Sequence, residues 1–179
     1  IEIDVFAASK KDIDTSDLNS VKKFLDEHNQ TDILVLNTGG PAPKSFNTIT
    51  EEDWKLYHNQ LFLGFVTILQ NIKINYGGYI FLISSSVIKE PNAGLIISSA
   101  YRAAFAEVFK VLSKEYAEKN ISCVNIAPGP INTDRTQEYF TKKLSHFEES
   151  ASDRRNYKFD GIFLSREQEH SRKLNTLHY

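Results

Sequence analysis

Three short segments carry the residue types that a small-molecule site needs: Asn37-Thr38-Gly39-Gly40, Ser84-Ser85-Ser86 and Pro128-Gly129-Pro130-Ile131-Asn132-Thr133. Their small side chains let backbone N–H groups come close to a ligand, and their hydroxyls and amides add short polar arms. Each has a plain structural reading as well. Gly-Gly and Pro-Gly-Pro make turns in any protein, and a serine run can cap the helix that follows it. What favours a site is position, because each segment directly follows an apolar run. In an open parallel sheet, ligands bind beyond the carboxyl ends of the strands. Three such segments at successive strand ends therefore predict one shared cleft.

The elements that would hold these segments are legible as periodic runs. Ile1 to Ala7 (IEIDVFA) reads as a strand. Ser16 to His28 reads as a helix capped by Ser16 or Asp17, with Val21, Phe24 and Leu25 as its apolar stripe. Asp32 to Asn37 (DILVLN) is a continuous apolar run, the pattern of a strand buried on both faces. Thr50 and the acids Glu51, Glu52 and Asp53 open a second helix. That helix is expected to run to about Asn75, where Gly77-Gly78 ends it. Tyr79 to Ser84 (YIFLIS) is the next strand. Leu95 to Lys119 is a long helix with Asn120 as its C-cap, followed by the strand Ile121 to Ala127 (ISCVNIA) and a helical pattern from Asp134 to about Phe147. Strict alternation of strand and helix predicts an α/β fold, a Rossmann-type doubly wound parallel sheet, in a single incomplete domain over residues 1–179.

Bulk properties exclude several classes. A formal net charge of −2 over 179 residues, with both signs scattered, leaves no basic field for nucleic acid. No apolar run reaches membrane-spanning length and no signal peptide is evident, so a cytoplasmic protein is expected. The single cysteine, Cys123, lies in an apolar run and reads as a buried thiol in a reducing compartment. Five histidines (His28, His58, His146, His170, His178) show no paired metal-ligand spacing. The first residue is Ile1 rather than Met, so Ile1 is read as an internal position of a longer protein.

Several blocks together resemble one family. Asp32 to Gly40 (DILVLNTGG) resembles the "D-I-L-V-N-N-A-G" strand of the short-chain dehydrogenases/reductases. Gly78 to Ser86 resembles their "G-x-I-V-x-I-S-S" strand, and Ile121 to Thr133 (ISCVNIAPGPINT) resembles "I-x-V-N-x-I-x-P-G-x-I-x-T". Asp14 lies in DTSDLNSV, which is similar to the family's "D-v-t-D-x-x-s-V". The match covers roughly Val5 to Arg135. It implies NAD or NADP as cofactor and hydride transfer to or from a small-molecule carbonyl or alcohol. It implies that Asp14 touches the adenine, that Asn37, Thr38, Gly39 and Gly40 line the cofactor, and that Pro128, Gly129, Ile131 and Thr133 line its nicotinamide side. The glycine-rich turn that seats the pyrophosphate in the family would precede Ile1.

The same resemblance marks a departure at the catalytic positions. Ser85 matches the family serine that polarises the carbonyl. Where the family's tyrosine belongs stands Ser98, and the lysine position is Arg102. A serine hydroxyl is far less acidic than a phenol and is a poor general acid near neutral pH. Arginine stays protonated and cannot join a proton relay, although it can bind ribose or phosphate. The pair still shares one helix face at i, i+4. The pattern S-x-x-x-R-A-A and the TGGP motif resemble a divergent branch often labelled 3-oxoacyl-carrier-protein reductase or sugar dehydrogenase. Tyr101 is read as a packing or subunit-contact residue, since its own i+4 neighbour is Phe105, which cannot tune a pKa. The family's helix asparagine falls on Leu61, with Asn59 two residues early. Apolar residues on several faces of the Leu95–Lys119 helix fit a homodimer or homotetramer contact, with a core-only role as the competing account. Two functions follow: an oxidoreductase using Ser85, Ser98 and Arg102, or a catalytically inactive relative kept as a binding or assembly module.

Overall fold

The computed structural model describes residues 4–129 and 131. Helix α1 (Leu18–Glu27) starts where Asp17 accepts the Asn19 N–H at 2.9 Å, and it buries Val21 and Leu25. Strand β1 (Gln30–Leu36) follows. Thr50 and Asp53 then form a reciprocal capping box that opens α2 (Glu51–His58). A five-residue π-turn, Asn59–Leu63, carries α2 into α3 (Gly64–Asn71). Strand β2 (Lys73–Ile83), the long helix α4 (Ile96–Glu118) and strand β3 (Ser122–Ile126) complete the described part.

All three strands are parallel, in the order β1-β2-β3, with Val35 beside Phe81 and Phe81 beside Val124. The core lies on one side of this sheet. Leu36, Ile80 and Leu82 pack with Val21 and Leu25 of α1, Phe65, Ile68 and Leu69 of α3, and Phe105 and Phe109 of α4. The end of α4 is a Schellman turn: Asn120 adopts φ 55°, its N–H reaches Ala117 O, and the Ile121 N–H reaches Tyr116 O. Asparagine tolerates this left-handed backbone better than most residues, as its reading as a cap anticipated.

Three expectations need correction. Asp4 to Ala7, the described part of the expected first strand, form no strand. Phe6 instead stacks on His28 at 4.6 Å between ring centroids and tilts against Phe24, so its side chain joins α1 rather than a sheet face. The second helix ends at Asn71, not near Asn75. Ile72 is extended, the Lys73 N–H is taken by Asn29 O at 2.7 Å, and buried Ile74 draws the chain onto the sheet at once. The glycines Gly77-Gly78 then fall inside β2, where the register with β1 shifts between Thr31 and Ile33. Finally, β1 is covered on one face only. Leu36 is buried, but Ile33 and Val35 are 51% and 56% exposed because no described element packs over them. The Asp134–Phe147 helix expected from the sequence lies outside the described residues.

Candidate functional site

The carboxyl ends of β1, β2 and β3 point the same way, and hydrogen bonds join the segments that leave them. From α4, Arg102 donates through Nη2 to Thr38 O (2.9 Å), just after β1, and through Nη1 to Ile83 O (3.2 Å), the last residue of β2. Its Nε donates to Ser98 Oγ at 3.2 Å, one turn back on the same helix. On the other side of β2, the Ser84 N–H meets Ile126 O at 2.8 Å, the Ser86 N–H meets Pro128 O at 2.9 Å, and the Ser84 hydroxyl donates to Asn125 Oδ1 at 2.6 Å. The described parts of the three segments read from the sequence are thus joined in one connected ledge, the third through Pro128.

Three glycines lie along that ledge. A Cβ on Gly40 would lie 3.5 Å from both Arg102 Nη2 and Ser98 Oγ, so the loop backbone passes directly over the Ser98–Arg102 pair. A Cβ on Gly39 would meet nothing within 4 Å, as would one on Gly129, so both glycines present open backbone surface. Gly64 serves a different contact. A Cβ there would come within 2.5 Å of Thr15 O, so only glycine lets α3 approach the turn before α1.

Through that turn the loop preceding α1 reaches the ledge. The Thr15 and Thr38 hydroxyls are 3.2 Å apart. Beside them, Asp14 Oδ1 accepts from the Ser16 hydroxyl (2.6 Å) and N–H (3.0 Å), and Oδ2 pairs with Lys10 at 3.3 Å. The Ser16 hydroxyl, more than the Lys10 charge, holds the Asp14 carboxyl below its ordinary pKa.

The family model for short chain dehydrogenases matches residues 6–144. The chain belongs to the short-chain dehydrogenase family. It is 33% identical over 120 residues to the 3-oxoacyl-[acyl-carrier-protein] reductase FabG of Chlamydia pneumoniae, covering 65% of this chain and 48% of that protein. It is 28% identical over 122 residues to the NADPH-dependent reductase BacG of Bacillus subtilis, covering 66% and 47%. Among solved structures, a short chain dehydrogenase from Burkholderia cenocepacia J2315 in complex with NADP matches with a TM-score of 0.63 at 23% identity, covering 69% of this chain and 53% of that one. The chain spans about half the length of the curated relatives it matches. Its parallel sheet is the Rossmann type of that family, as the strand–helix alternation predicted.

The residues singled out in the sequence are placed unevenly. Ser98, Arg102, Thr38 and Gly40 come together, and Asn37 and Gly39 flank them. Ser85 is half-buried, and its Oγ accepts the Val87 N–H at 3.4 Å, capping the short turn Ser86–Ile88. The helix-capping role open to the serine run is therefore realised at this residue. Pro128 is tied to Ser86, Gly129 lies open, and Ile131 is 61% exposed. Thr133 lies outside the described residues. Tyr101 turns away from the ledge: its hydroxyl donates to Trp54 O at 3.1 Å, its ring packs edge-on against Trp54, and burial pushes its pKa up.

Sequence reasoning missed Gln60. Its Nε2 donates to Gly39 O at 2.8 Å and to Thr38 Oγ1 at 3.3 Å. Asn59, the preceding residue, donates to Ser16 O at 3.3 Å. Both belong to the π-turn, which a 3.6-residue period does not anticipate. No helix among the described residues is long and apolar enough to cross a membrane.

Proposed function

We propose that this chain contributes part of the cofactor and substrate site of a nicotinamide-dependent oxidoreductase that reduces a carbonyl or oxidises an alcohol, with a 3-oxoacyl or sugar-like substrate. The observation that carries this reading is the connected ledge at the three strand ends, where ligands of open α/β sheets bind. NADP(H) is the cofactor form we favour over NAD(H), because BacG is named NADPH-dependent and the Burkholderia relative was solved with NADP. Open backbone at Gly39 and Gly129 fits a flat, close-lying ligand of that kind. Asn37, Thr38, Gly39 and Gly40 would hold one side of it, Pro128, Gly129, Ile131 and Thr133 the nicotinamide side, and Asp14 the adenine end. When bound, the dinucleotide supplies or accepts the hydride.

The chain's own residues would orient and polarise rather than exchange protons strongly. Ser98 Oγ accepts from the Arg102 guanidinium, which leaves its hydroxyl hydrogen as a donor and the fixed cation behind it. Ser85 stands on the neighbouring strand end as the second hydroxyl. Oriented donors of this sort stabilise charge developing on a carbonyl oxygen. The whole protein would work in the cytoplasm as a homodimer or homotetramer, with the outward side of α4, where Val111 is 60% exposed, as the contact.

A second reading has its own support. Three nitrogens of Arg102 donate to protein acceptors, Ser85 Oγ caps a turn, and the Tyr101 hydroxyl donates to a main-chain carbonyl. This favours a catalytically inactive relative that binds the dinucleotide or assembles with a partner. The test is NADPH oxidation by the whole protein with a panel of 3-oxoacyl thioesters, keto-sugars and simple ketones. Turnover that falls at least tenfold in Ser85→Ala and in Ser98→Ala supports the reductase. Cofactor binding without turnover on any substrate supports the second reading.

A further inference from the structure

The loop after β1 is gripped from two directions, and only one of them comes from the helix that carries Ser98 and Arg102. Arg102 takes Thr38 O. From the opposite element, the π-turn between α2 and α3, Gln60 Nε2 takes Gly39 O and Thr38 Oγ1. In this turn the Gly64 N–H bonds back to Asn59 O, so one extra residue is accommodated in the helix. Consecutive side chains then reach two neighbouring loops: Asn59 holds Ser16 O, and Gln60 holds Gly39 O. Turns of this kind recur at functional sites.

We infer that Gln60 is a positioning residue: its amide fixes the Thr38–Gly39–Gly40 backbone in the geometry that a ligand at the strand ends meets. Gly39 is where this matters most. A glycine with open space around it has no side-chain contact of its own to restrain it, and an unrestrained glycine samples far more backbone conformations than other residues. A bond to its carbonyl from the Gln60 amide restricts that freedom before the ligand arrives. Pre-ordering a binding loop raises affinity by lowering the ordering cost of binding. The consequence for affinity rests on the reading of the ledge as a dinucleotide site. The hold on the loop does not.

Two variants and two readouts test this in the whole protein. Gln60→Leu removes the donor. Gln60→Glu keeps the shape but faces Gly39 O with an ionised carboxylate at neutral pH. Both should lower the backbone 15N order parameters of Gly39 and Gly40 toward flexible-loop values. The thermal midpoint should move by only about 2 °C, as for a partly exposed side chain. Acidification that protonates the new carboxyl restores an O–H donor, so the Gln60→Glu loop should tighten again while the Gln60→Leu loop does not. NADPH should bind roughly tenfold more weakly to both variants at pH 7. Unchanged order parameters at Gly39 and Gly40 in Gln60→Leu overturn the inference, whatever the cofactor does. Lowered order parameters with undiminished NADPH binding overturn the positioning role. Lowered order parameters in a protein whose wild type binds neither NADPH nor NADH leave Gln60's hold on the loop standing and remove the cofactor reading instead.

Discussion

Arg102 Nη2 lies 2.9 Å from the carbonyl oxygen of Thr38, and the same guanidinium reaches Ile83 O at 3.2 Å. One side chain from α4 thus ties the carboxyl ends of β1 and β2 together. A lysine ammonium, a compact point charge, cannot match the planar fork that makes these two bonds and a third to Ser98 at once.

Arg102→Ala should therefore lower stability by about 2–3 kcal/mol, the scale of losing charged hydrogen bonds and leaving carbonyls unsatisfied. Arg102→Lys should recover less than half of that loss. Urea denaturation of the three proteins checks the ordering, and a lysine variant as stable as wild type would show that charge alone matters at this position.

Gly64→Ala tests the close approach of α3 to the turn before α1. The added Cβ would sit 2.5 Å from Thr15 O, which is backbone and has no rotamer to escape into. A loss of about 1–3 kcal/mol is expected, as for other overpacked sites. Because the Thr15 and Thr38 hydroxyls are in contact, the backbone 15N order parameter of Thr38 should fall in the same variant.

Asp14 contributes a pH dependence of definite sign. Its carboxyl is held below its ordinary pKa, chiefly by the Ser16 hydroxyl and in smaller part by the Ser16 N–H and Lys10, against an opposing desolvation. A carboxyl lowered in the folded state stabilises the protein above the unfolded pKa, and that contribution is lost as pH falls through the folded one. Asp14→Asn should therefore be less stable than wild type at pH 7, and the two should converge as pH falls through the lowered pKa of Asp14. A gap that persists at low pH would point to packing rather than charge.

How much of this was legible follows from the range of each interaction. The caps were readable because Asp17 bonds two residues on and Thr50 and Asp53 bond each other, so their partners lie within one turn of sequence. The strand-end segments were readable because apolar runs stop abruptly at Asn37, Ser84 and Pro128. The grip on those segments was not. Arg102 and Gln60 bond main-chain carbonyls, and every residue has one, so no residue type at position 38, 39 or 83 signals the partner. The early start of β2 was hidden for a similar reason: Asn29 O, outside the strand run, takes the Lys73 N–H and fixes the boundary. Ile33 and Val35 misled in the other direction, since apolar residues read as buried whether or not a covering element is present.

The central claim is that the joined strand ends form one side of a nicotinamide dinucleotide site. It is tested most directly by following thermal unfolding of the whole protein while NADPH, and separately NADH, is added to millimolar concentration. Binding to the folded state alone raises the unfolding temperature as ligand increases. We predict a concentration-dependent rise with NADPH that exceeds the rise with NADH and is reduced in Arg102→Ala. No rise with either dinucleotide would contradict the claim and leave the fold as a binding or assembly module without cofactor.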